Sequence, residues 1–194
     1  MGIPINSERS GPMNNGASSY RRFLDGDDNG FAEIIDGYYD GLVLYLNEYV
    51  RNFDTAEELA EDTFVKLVTK KPRFSGKSSF KTFLYAVGRN VALDYLRREK
   101  KRGTVPIDDF TETLSDDKEL EQSFLREEQK IILHRSMQSM KTEYRQALWL
   151  AYFEDLSTPE IARIMKKSVN SVEHLIHRAK LSLKSEIEKE DLTL

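Results

Sequence analysis

The sequence predicts an all-α protein made of two small helical domains that are joined by an acidic, flexible linker. Three observations predict this fold class. Apolar residues recur at three- and four-residue spacing through most of the 194-residue chain. The periodic segments begin at capping residues and end at Gly or Pro. One acidic segment without sustained periodicity, 104–123, divides these segments into two groups.

The composition excludes several classes of function. The chain is 39% hydrophobic and 32% charged, which is enough apolar material for folded domains. It contains no cysteine, so disulfides, thiol catalysis and Cys-ligated zinc are excluded. No run of about 18 apolar residues is present, and the N-terminus lacks the apolar segment of a secretory signal. We therefore expect a cytoplasmic protein without membrane insertion.

Charge is distributed in blocks, although the net charge is only −4. Twelve acidic residues and one basic residue lie between Asp25 and Asp62. Twelve basic residues and two acidic ones lie from Lys66 to Arg102, and residues 108–128 are again acidic. The pattern favours two binding surfaces of opposite sign. The alternative is that these blocks are ordinary solvated faces.

The first domain is predicted as a three-helix unit at 20–103, after a flexible tail at 1–19. Apolar spacing indicates a helix over 31–50. A second helix begins at the capping box of Thr55 and Glu58 and stops before Pro72.

The third helix carries the basic block. It follows the loop "RFSGKSS", where Ser78 or Ser79 can cap it, and Gly103 ends it. The apolar stripe predicted to be buried consists of Phe80, Leu84, Val87 and Val91. A polar face adjoins this stripe and consists of Asn90, Asp94, Arg97 and Lys101.

The second domain is predicted at 124–190. It begins with helices over about 124–139 and 142–154. Trp149 and Phe153 are interpreted as core or domain-edge packing. The inward residues of the second of these helices are Tyr144, Ala147, Leu148, Ala151 and Tyr152.

The segment "LSTPEIARIMKKSVNSVEHLIHRAKLSLK" predicts a helix-turn-helix. Ser157 and Glu160 form a capping box for a short helix, and a break follows at 166–168. Ser168 caps a longer helix, whose apolar face holds Val172, Ile176, Ala179 and Leu183. A plain αα-hairpin is the alternative. If the motif binds DNA, the N-terminal half of the longer helix enters the major groove.

Three stretches together resemble an extracytoplasmic-function (group IV) sigma factor of bacterial RNA polymerase. They are "TAEELAEDTFVKLV", "FSGKSSFKTFLYAVGRNVALDYLRR" and "YRQALWLAYFEDLSTPEIARIMKKSVNSVEHLIHRAK". They follow the family's order and spacing and, with the linker, cover about four fifths of the chain. The resemblance implies that 20–103 is sigma region 2 and that 124–190 is sigma region 4. Such a protein directs promoter-specific initiation and is a non-catalytic subunit without a cofactor.

In region 2, the resemblance implies that the loop at 74–79 captures a flipped base of the −10 element while the basic helix lines the DNA. Hydroxyls, exposed backbone and a cation between aromatic walls suit that task. Arginines and lysines would hold phosphates, and Lys100 and Arg102 are further candidates for this contact. The expected −10 residues are Phe74, Ser75, Gly76, Lys77, Ser78, Phe80, Arg89, Asn90, Arg97, Arg98 and Lys101.

In region 4, the resemblance implies recognition of the −35 element. Lys166 stands where the turn often has Gly, Glu173 where a basic residue is common, and Leu175 where Arg often sits. Glu accepts a hydrogen bond from cytosine N4 but repels phosphates, so we expect a weakened −35 contact. The expected −35 residues are Lys167, Asn170, Ser171, Glu173, His174, His177 and Arg178.

The implied partners are the core polymerase, through the β′ coiled coil and the β subunit, promoter DNA, and an anti-sigma factor. Without partners the protein is expected to be a monomer. The acidic linker would follow the RNA exit path of the core enzyme. The expected docking residues for the β′ coiled coil are Glu58, Glu61, Asp62, Val65, Lys66 and Leu67.

Alternatives from other classes remain at this point. "GKS" at Gly76 is similar to the end of a phosphate loop, but that motif needs Gly where Lys71 stands. His174 and His177 could bind a metal, with Glu173 near, yet no further ligands cluster in the sequence. A dimeric helix-turn-helix regulator would explain 157–184, but it leaves the basic helix of region 2 without a role.

Overall fold

A computed structural model describes residues 15–103 and 136–191, with side chains over 16–103 and 136–189. Within those ranges every regular element is a helix. The first domain consists of α1 (Asn15–Leu24), α2 (Asp28–Val50), α3 (Phe53–Lys70) and α4 (Phe80–Arg102). The second consists of α5 (Thr142–Leu148), a π-helical turn (Trp149–Phe153), α6 (Thr158–Met165) and α7 (Val169–Asp191).

Local signals place most of the helix ends. Asn52 caps α3 by accepting from the backbone N–H of Thr55, so the cap lies three residues before the predicted one. Ser79 caps α4 through the N–H of Thr82, as predicted. Gly103 ends α4 in the left-handed region at φ 75°, a conformation that costs glycine little because it has no β-carbon.

The core of the first domain lies between α2, α3 and α4. Leu42, Leu46, Leu59, Leu67 and Leu84 are buried there. Gly88 lets α4 approach α2 closely, since a β-carbon at that position would lie 2.9 Å from Cδ1 of Leu42. Of the stripe predicted for α4, Phe80, Leu84 and Val91 are buried and Val87 is half-buried.

Helix α1 adds a fourth helix to the unit predicted to have three. It begins at Asn15, so residues 15–19, which were predicted to be a flexible tail, are helical. Tyr20 and Phe23 are buried, and the Tyr20 ring lies 5.3 Å from that of Phe80. Two aromatics spaced three residues apart in "SSYRRFL" were the available signal for this helix.

The second domain contains the predicted helix-turn-helix. Ser157 and Glu160 form the capping box of α6, and Ser168 accepts from the N–H of Ser171 at the start of α7. Lys166 adopts φ 55° in the turn between the two helices. The prediction that Tyr152 points inward is wrong, because its side chain is 57% exposed.

Two predicted elements lie outside the described residues. They are the linker at 104–123 and most of the helix at about 124–139. In the described part of the chain, no helix combines the length and the apolar character needed to cross a membrane.

The two domains pack against each other. Helix α5 lies on α2, and α6 lies along α4. The α4 helix, which the resemblance implies lines the DNA, is therefore partly covered by the helix-turn-helix domain.

Candidate nucleic-acid interface

The loop before α4 combines an aromatic wall with an exposed polar tip. The ring of Phe74 lies 5.7 Å from that of Phe80 at an interplanar angle of 82°. Phe80 itself is 3% exposed, so it belongs to the core and packs against Phe74 from the buried side. Ser75, Gly76 and Lys77 are exposed, and Gly76 has φ 70°. Such a turn presents hydroxyls and backbone beside an apolar surface, which suits an unstacked base.

One face of α4 continues this surface with cations. Arg97, Arg98 and Lys101 are exposed, and Nη1 of Arg97 lies 2.8 Å from Oδ1 of Asp94. Asn90 is half-buried near the middle of the helix. Its side-chain oxygen accepts a hydrogen bond from Nζ of Lys166, in the turn of the second domain, at 3.0 Å.

Arg89 differs from the other predicted phosphate contacts. Its Nε is buried and has no hydrogen-bond partner in the described part of the chain, and the guanidinium lies near the hydroxyl of Tyr49. Burial raises the pKa of Tyr49 to about 12, and the charge of Arg89 opposes that rise. Arg89 is thus half-buried beside Tyr49 of α2, with its Nε shielded from solvent.

Helix α7 presents the predicted polar face. Val172 and Ala179 are fully buried. Leu175 is only 4% exposed and is a core residue, so the comparison with an arginine that contacts DNA does not apply to it. Lys167 is half-buried, with Nζ 3.2 Å from Oε1 of Glu143. The outward, exposed residues are Asn170, Ser171, Glu173, His174, His177 and Arg178.

The acidic face of α3 is exposed as predicted, with one correction. Glu58, Glu61 and Asp62 are exposed, and Val65 is 56% exposed between them. Lys66 is half-buried. Leu67 is fully buried, so it cannot add apolar area to a docking surface, whereas Val65 and Val68, three residues later on α3, are both exposed.

Charged contacts between the domains are the main feature that sequence reasoning missed. Arg145 donates from Nε to Oε2 of Glu48 at 2.9 Å, and both side chains are buried. Glu154 is also buried, and its Oε2 lies 2.7 Å from Nζ of Lys81. An Arg, two Glu and a Lys in amphipathic helices look like surface residues, so no pattern in the sequence predicts these pairs.

Glu160 joins the capping box to the other domain. Its Oε1 accepts from Oγ of Ser79 at 2.8 Å and from Oγ1 of Thr82 at 3.0 Å. Burial alone would raise the pKa of Glu160, but hydrogen bonds from Ser157, Ser79 and Thr82 together lower it. The carboxylate is therefore held ionised beside the start of α4.

Metal binding has no support in the described residues. No group of three or more His, Asp or Glu side chains there is arranged to hold an ion. His174 and His177 lie on the exposed face of α7 with Arg178, which fits a polar recognition surface.

Comparison with known families matches both domains in order. The model of Sigma-70 region 2 matches residues 34–102, and the model of Sigma-70, region 4 matches residues 130–183. The RNA polymerase sigma factor YlaC of Bacillus subtilis is 32% identical over 78% of this chain and 88% of its own length.

The chain belongs to the sigma-70 family. It is a sigma factor of the extracytoplasmic-function type, as the resemblance predicted. ECF RNA polymerase sigma factor SigW of Bacillus subtilis is 25% identical over 84% of this chain and 91% of its own length. A sigma factor directs promoter-specific initiation of transcription, and the dimeric helix-turn-helix regulator has no support from these matches.

Solved structures share the fold of this sigma factor. The sigma factor RpoE of Bartonella quintana, in complex with the anti-sigma factor NepR, superposes with a TM-score of 0.64 at 17% identity. That match covers 81% of this chain and 96% of RpoE. CnrH, in complex with the cytosolic domain of CnrY, gives 0.63 at 18% identity over 90% of this chain and 96% of CnrH.

Proposed function

We propose that this sigma factor uses three separate surfaces to bring core polymerase to a promoter and open it. The −10 surface is formed by the loop at 74–79 and the exposed cations of α4. The −35 surface is the exposed polar face in the N-terminal half of α7. The docking face is the acidic side of α3. The presence of regions 2 and 4 in one chain, in the family's order, carries this proposal.

The −10 surface fits capture of a single strand. A flipped base would pack against Phe74, while Ser75, Lys77 and Ser78 offer polar contacts to its edge. Arg97, Arg98 and Lys101 would neutralise phosphates, a contribution that weakens as salt rises. Capture of an unpaired base offsets the loss of pairing and stacking, so melting requires no ATP.

The side chains of the −35 surface are suited to contacts with base edges and phosphates along the major groove. Asn170 and Ser171 can donate to base edges, and Lys167 and Arg178 can hold phosphates. Glu173 is exposed among them and would repel the backbone. We therefore propose that most promoter affinity comes from the core enzyme and the −10 surface.

The docking face would bind the β′ coiled coil of core polymerase. Glu58, Glu61 and Asp62 supply charge around the exposed Val65. A charged rim around an apolar contact is the usual anatomy of such an interface. The acidic body also discourages DNA binding by the free protein.

The remaining proposals concern organisation and partners. We place region 2 at 20–103, the linker at 104–123 and region 4 at 124–190. Helix α1 extends the first of these regions back to Asn15. The protein would act in the cytoplasm, bind no cofactor and be a monomer when free. An anti-sigma factor is proposed because the structural neighbours RpoE and CnrH were solved in complexes, that of RpoE with an anti-sigma factor.

Run-off transcription tests the proposal. The purified protein is mixed with bacterial core polymerase and a genomic promoter library, with core alone as the control. We expect transcripts that start at defined sites and share −10 and −35 elements. Absence of any defined start site with an active core preparation would overturn the assignment of all three surfaces.

A further inference from the structure

The connection between α3 and α4, residues 71–79, is held by contacts with α1. The hydroxyl of Tyr20 donates to the backbone carbonyl of Pro72 at 2.8 Å, although 52 positions separate the two residues along the chain. Nζ of Lys71 lies 5.2 Å from the centre of the Phe23 ring, within the range of a cation–π contact. Both contacts fall just before the aromatic wall of the −10 surface. Helix α1 therefore fixes the point at which the chain leaves α3.

The ring of Tyr20 also packs against the residues that support Phe74. Its centre lies 5.3 Å from that of Phe80 and 5.9 Å from that of Phe83. The ring of Phe74 lies 5.7 Å from Phe80 and 5.3 Å from Phe83. Tyr20 and Phe74 thus contact the same two rings, and Tyr20 is only 1% exposed. Because the packing is close, a displacement of Tyr20 would also displace the wall.

The backbone of the loop has few other hydrogen bonds. In the described part of the chain, no backbone-to-backbone hydrogen bond involves residues 72–78, and Gly76 adopts φ 70° at the exposed tip. Arg163 of the second domain donates to the carbonyl of Lys77. From the described residues of the first domain, Tyr20 supplies the hydrogen bond to this backbone. The shape of such a segment depends on the side chains that hold it.

Helix α1 is itself fixed to α2. A β-carbon at Gly30 would lie 2.3 Å from the backbone oxygen of Ser19, so the two helices approach each other closely there. Oγ of Ser19 donates to Oε2 of Glu33 at 2.6 Å, and Nη1 of Arg22 lies 2.8 Å from Oε1 of Glu33. Hydrogen bonds from Ser19 and Arg22 lower the pKa of Glu33, so its carboxylate stays ionised at the contact.

We propose that Tyr20 is a positioning residue for capture of the −10 strand: its hydroxyl fixes the backbone at Pro72 and its ring fixes the wall at Phe74, so that the loop meets an unpaired base in a preformed shape. This inference rests on the proposed function for the identity of the −10 surface. Because Tyr20 is buried, it acts through these two residues and does not contact DNA. A loop that is ordered before binding loses less conformational freedom when it binds, so it holds the strand more tightly.

Tyr20→Phe tests the hydroxyl with the ring in place. It removes the hydrogen bond to Pro72 and leaves the ring contacts unchanged. Tyr38→Phe is the matched control, because its ring lies 5.7 Å from that of Phe80 while its hydroxyl is bonded to the backbone of Gly16 in α1. Both variants lose one phenolic oxygen from the same aromatic cluster, and only Tyr20→Phe loses a bond to the loop.

The order of the loop is measured with a spin label. The protein has no cysteine, so Arg73→Cys gives a unique, exposed labelling site next to Pro72. The labelled full-length chain is recorded alone and in complex with unlabelled core polymerase, with Tyr20, with Tyr20→Phe and with Tyr38→Phe. We expect less restricted motion of the label in Tyr20→Phe alone.

Strand capture is measured with two probes on the complex with core polymerase, and core polymerase alone is the blank. The first probe is a pool of short single strands that the wild-type complex enriches from random sequence. The second is a single strand of the same length with abasic sites throughout, which can bind only through its phosphates. We expect Tyr20→Phe to weaken binding of the first probe about fivefold, the effect of losing one hydrogen bond. Binding of the abasic strand and retention of core polymerase should stay unchanged.

The outcomes separate this inference from the proposed function. Unchanged label motion in Tyr20→Phe overturns the positioning role, and so does freer motion without weaker binding of the enriched pool. Equal weakening of both probes, or an equal effect of Tyr38→Phe, shows general damage to the domain and also overturns it. These results leave the proposed function intact. If the wild-type complex instead prefers no base-bearing strand to the abasic one, the −10 surface is wrongly assigned and the inference falls with it.

Discussion

Nε of Arg145 lies 2.9 Å from Oε2 of Glu48, although 97 residues separate the two along the chain. Their side chains are 1% and 4% exposed. Each residue comes from a different domain of the sigma factor. A charge so deeply buried is tolerated because its partner and three further acceptors surround it. Those acceptors are the carbonyl oxygens of Met140 and Glu48 and the hydroxyl of Thr142.

This ion pair predicts a non-additive mutant cycle. Glu48→Met and Arg145→Met each leave one charge buried and unpaired, which costs about 3–5 kcal/mol unless the domains open to hydrate it. The double variant leaves no charge, so we expect it to be more stable than either single variant. Urea unfolding of the four proteins measures the coupling. Additive losses would show that the pair is not energetically linked.

The −10 surface predicts a separation between melting and core binding. Asn90→Ala, and Lys77→Ala combined with Ser78→Ala, should reduce transcription from duplex promoters while core binding stays unchanged. A template melted in advance should restore activity, because these residues are assigned to strand capture. Equal loss on duplex and pre-melted templates would contradict that division of labour.

The docking face predicts a core-binding defect from a single charge reversal. Asp62→Lys places a cation beside Val65 where α3 is assigned to β′, so we expect weaker retention of core polymerase in a pull-down. Asp36→Lys makes the same change on the exposed side of α2 and should have a smaller effect. An unchanged pull-down with Asp62→Lys would count against this face.

Arginine substitutions at two nearby positions on α7, residues 173 and 175, should have opposite effects on the protein. Glu173→Arg, on the exposed face, should strengthen binding to −35 duplex DNA and steepen its salt dependence by about one unit of slope. Leu175→Arg buries a charge in the core of the second domain, so we expect a loss of stability of several kcal/mol.

Anisotropy titrations at several salt concentrations and thermal unfolding distinguish these two variants. The wild-type chain serves as the reference for both measurements. A stable Leu175→Arg protein with stronger DNA binding would show that residue 175 faces the groove.

Buried tyrosines predict an alkaline limit to stability. Burial raises the pKa of Tyr49 to about 12 and that of Tyr45 and Tyr85 well above the ordinary value. Because the protonated phenols are favoured in the fold, the contribution of each is complete below the unfolded pKa of about 10 and is lost as the pH rises through its pKa in the fold, which for Tyr49 is about 12.

In a titration to high pH, we therefore expect the last rise in phenolate absorbance to coincide with the loss of the helical circular dichroism signal. Tyr85→Phe should reduce the amplitude of that phase by one tyrosine. Ionisation of all nine tyrosines in one early step, with the helices intact, would refute this expectation.

The sequence by itself determined the helical class, most helix ends and the outward face of α7. Helix ends depend on groups that lie within a few residues of each other, so the local sequence is enough to predict them. Examples are the caps at Ser79 and Ser157, the turn at Lys166 and the helix end at Gly103. The order of the three family stretches likewise determined the sigma-factor assignment, because it is a property of the chain.

Only the tertiary structure decided which predicted surface residues are buried. Leu67 and Leu175 lie next to polar positions at the edge of a helical face, where periodicity does not settle burial. Arg89 is half-buried beside Tyr49, and Tyr152 faces solvent instead of the core. The Glu48–Arg145 pair joins residues far apart in sequence, and nothing local requires either charge to be buried. Burial of a charge is decided by the partner that the fold brings to it, so the packing of the two domains through this pair could be found only in three dimensions.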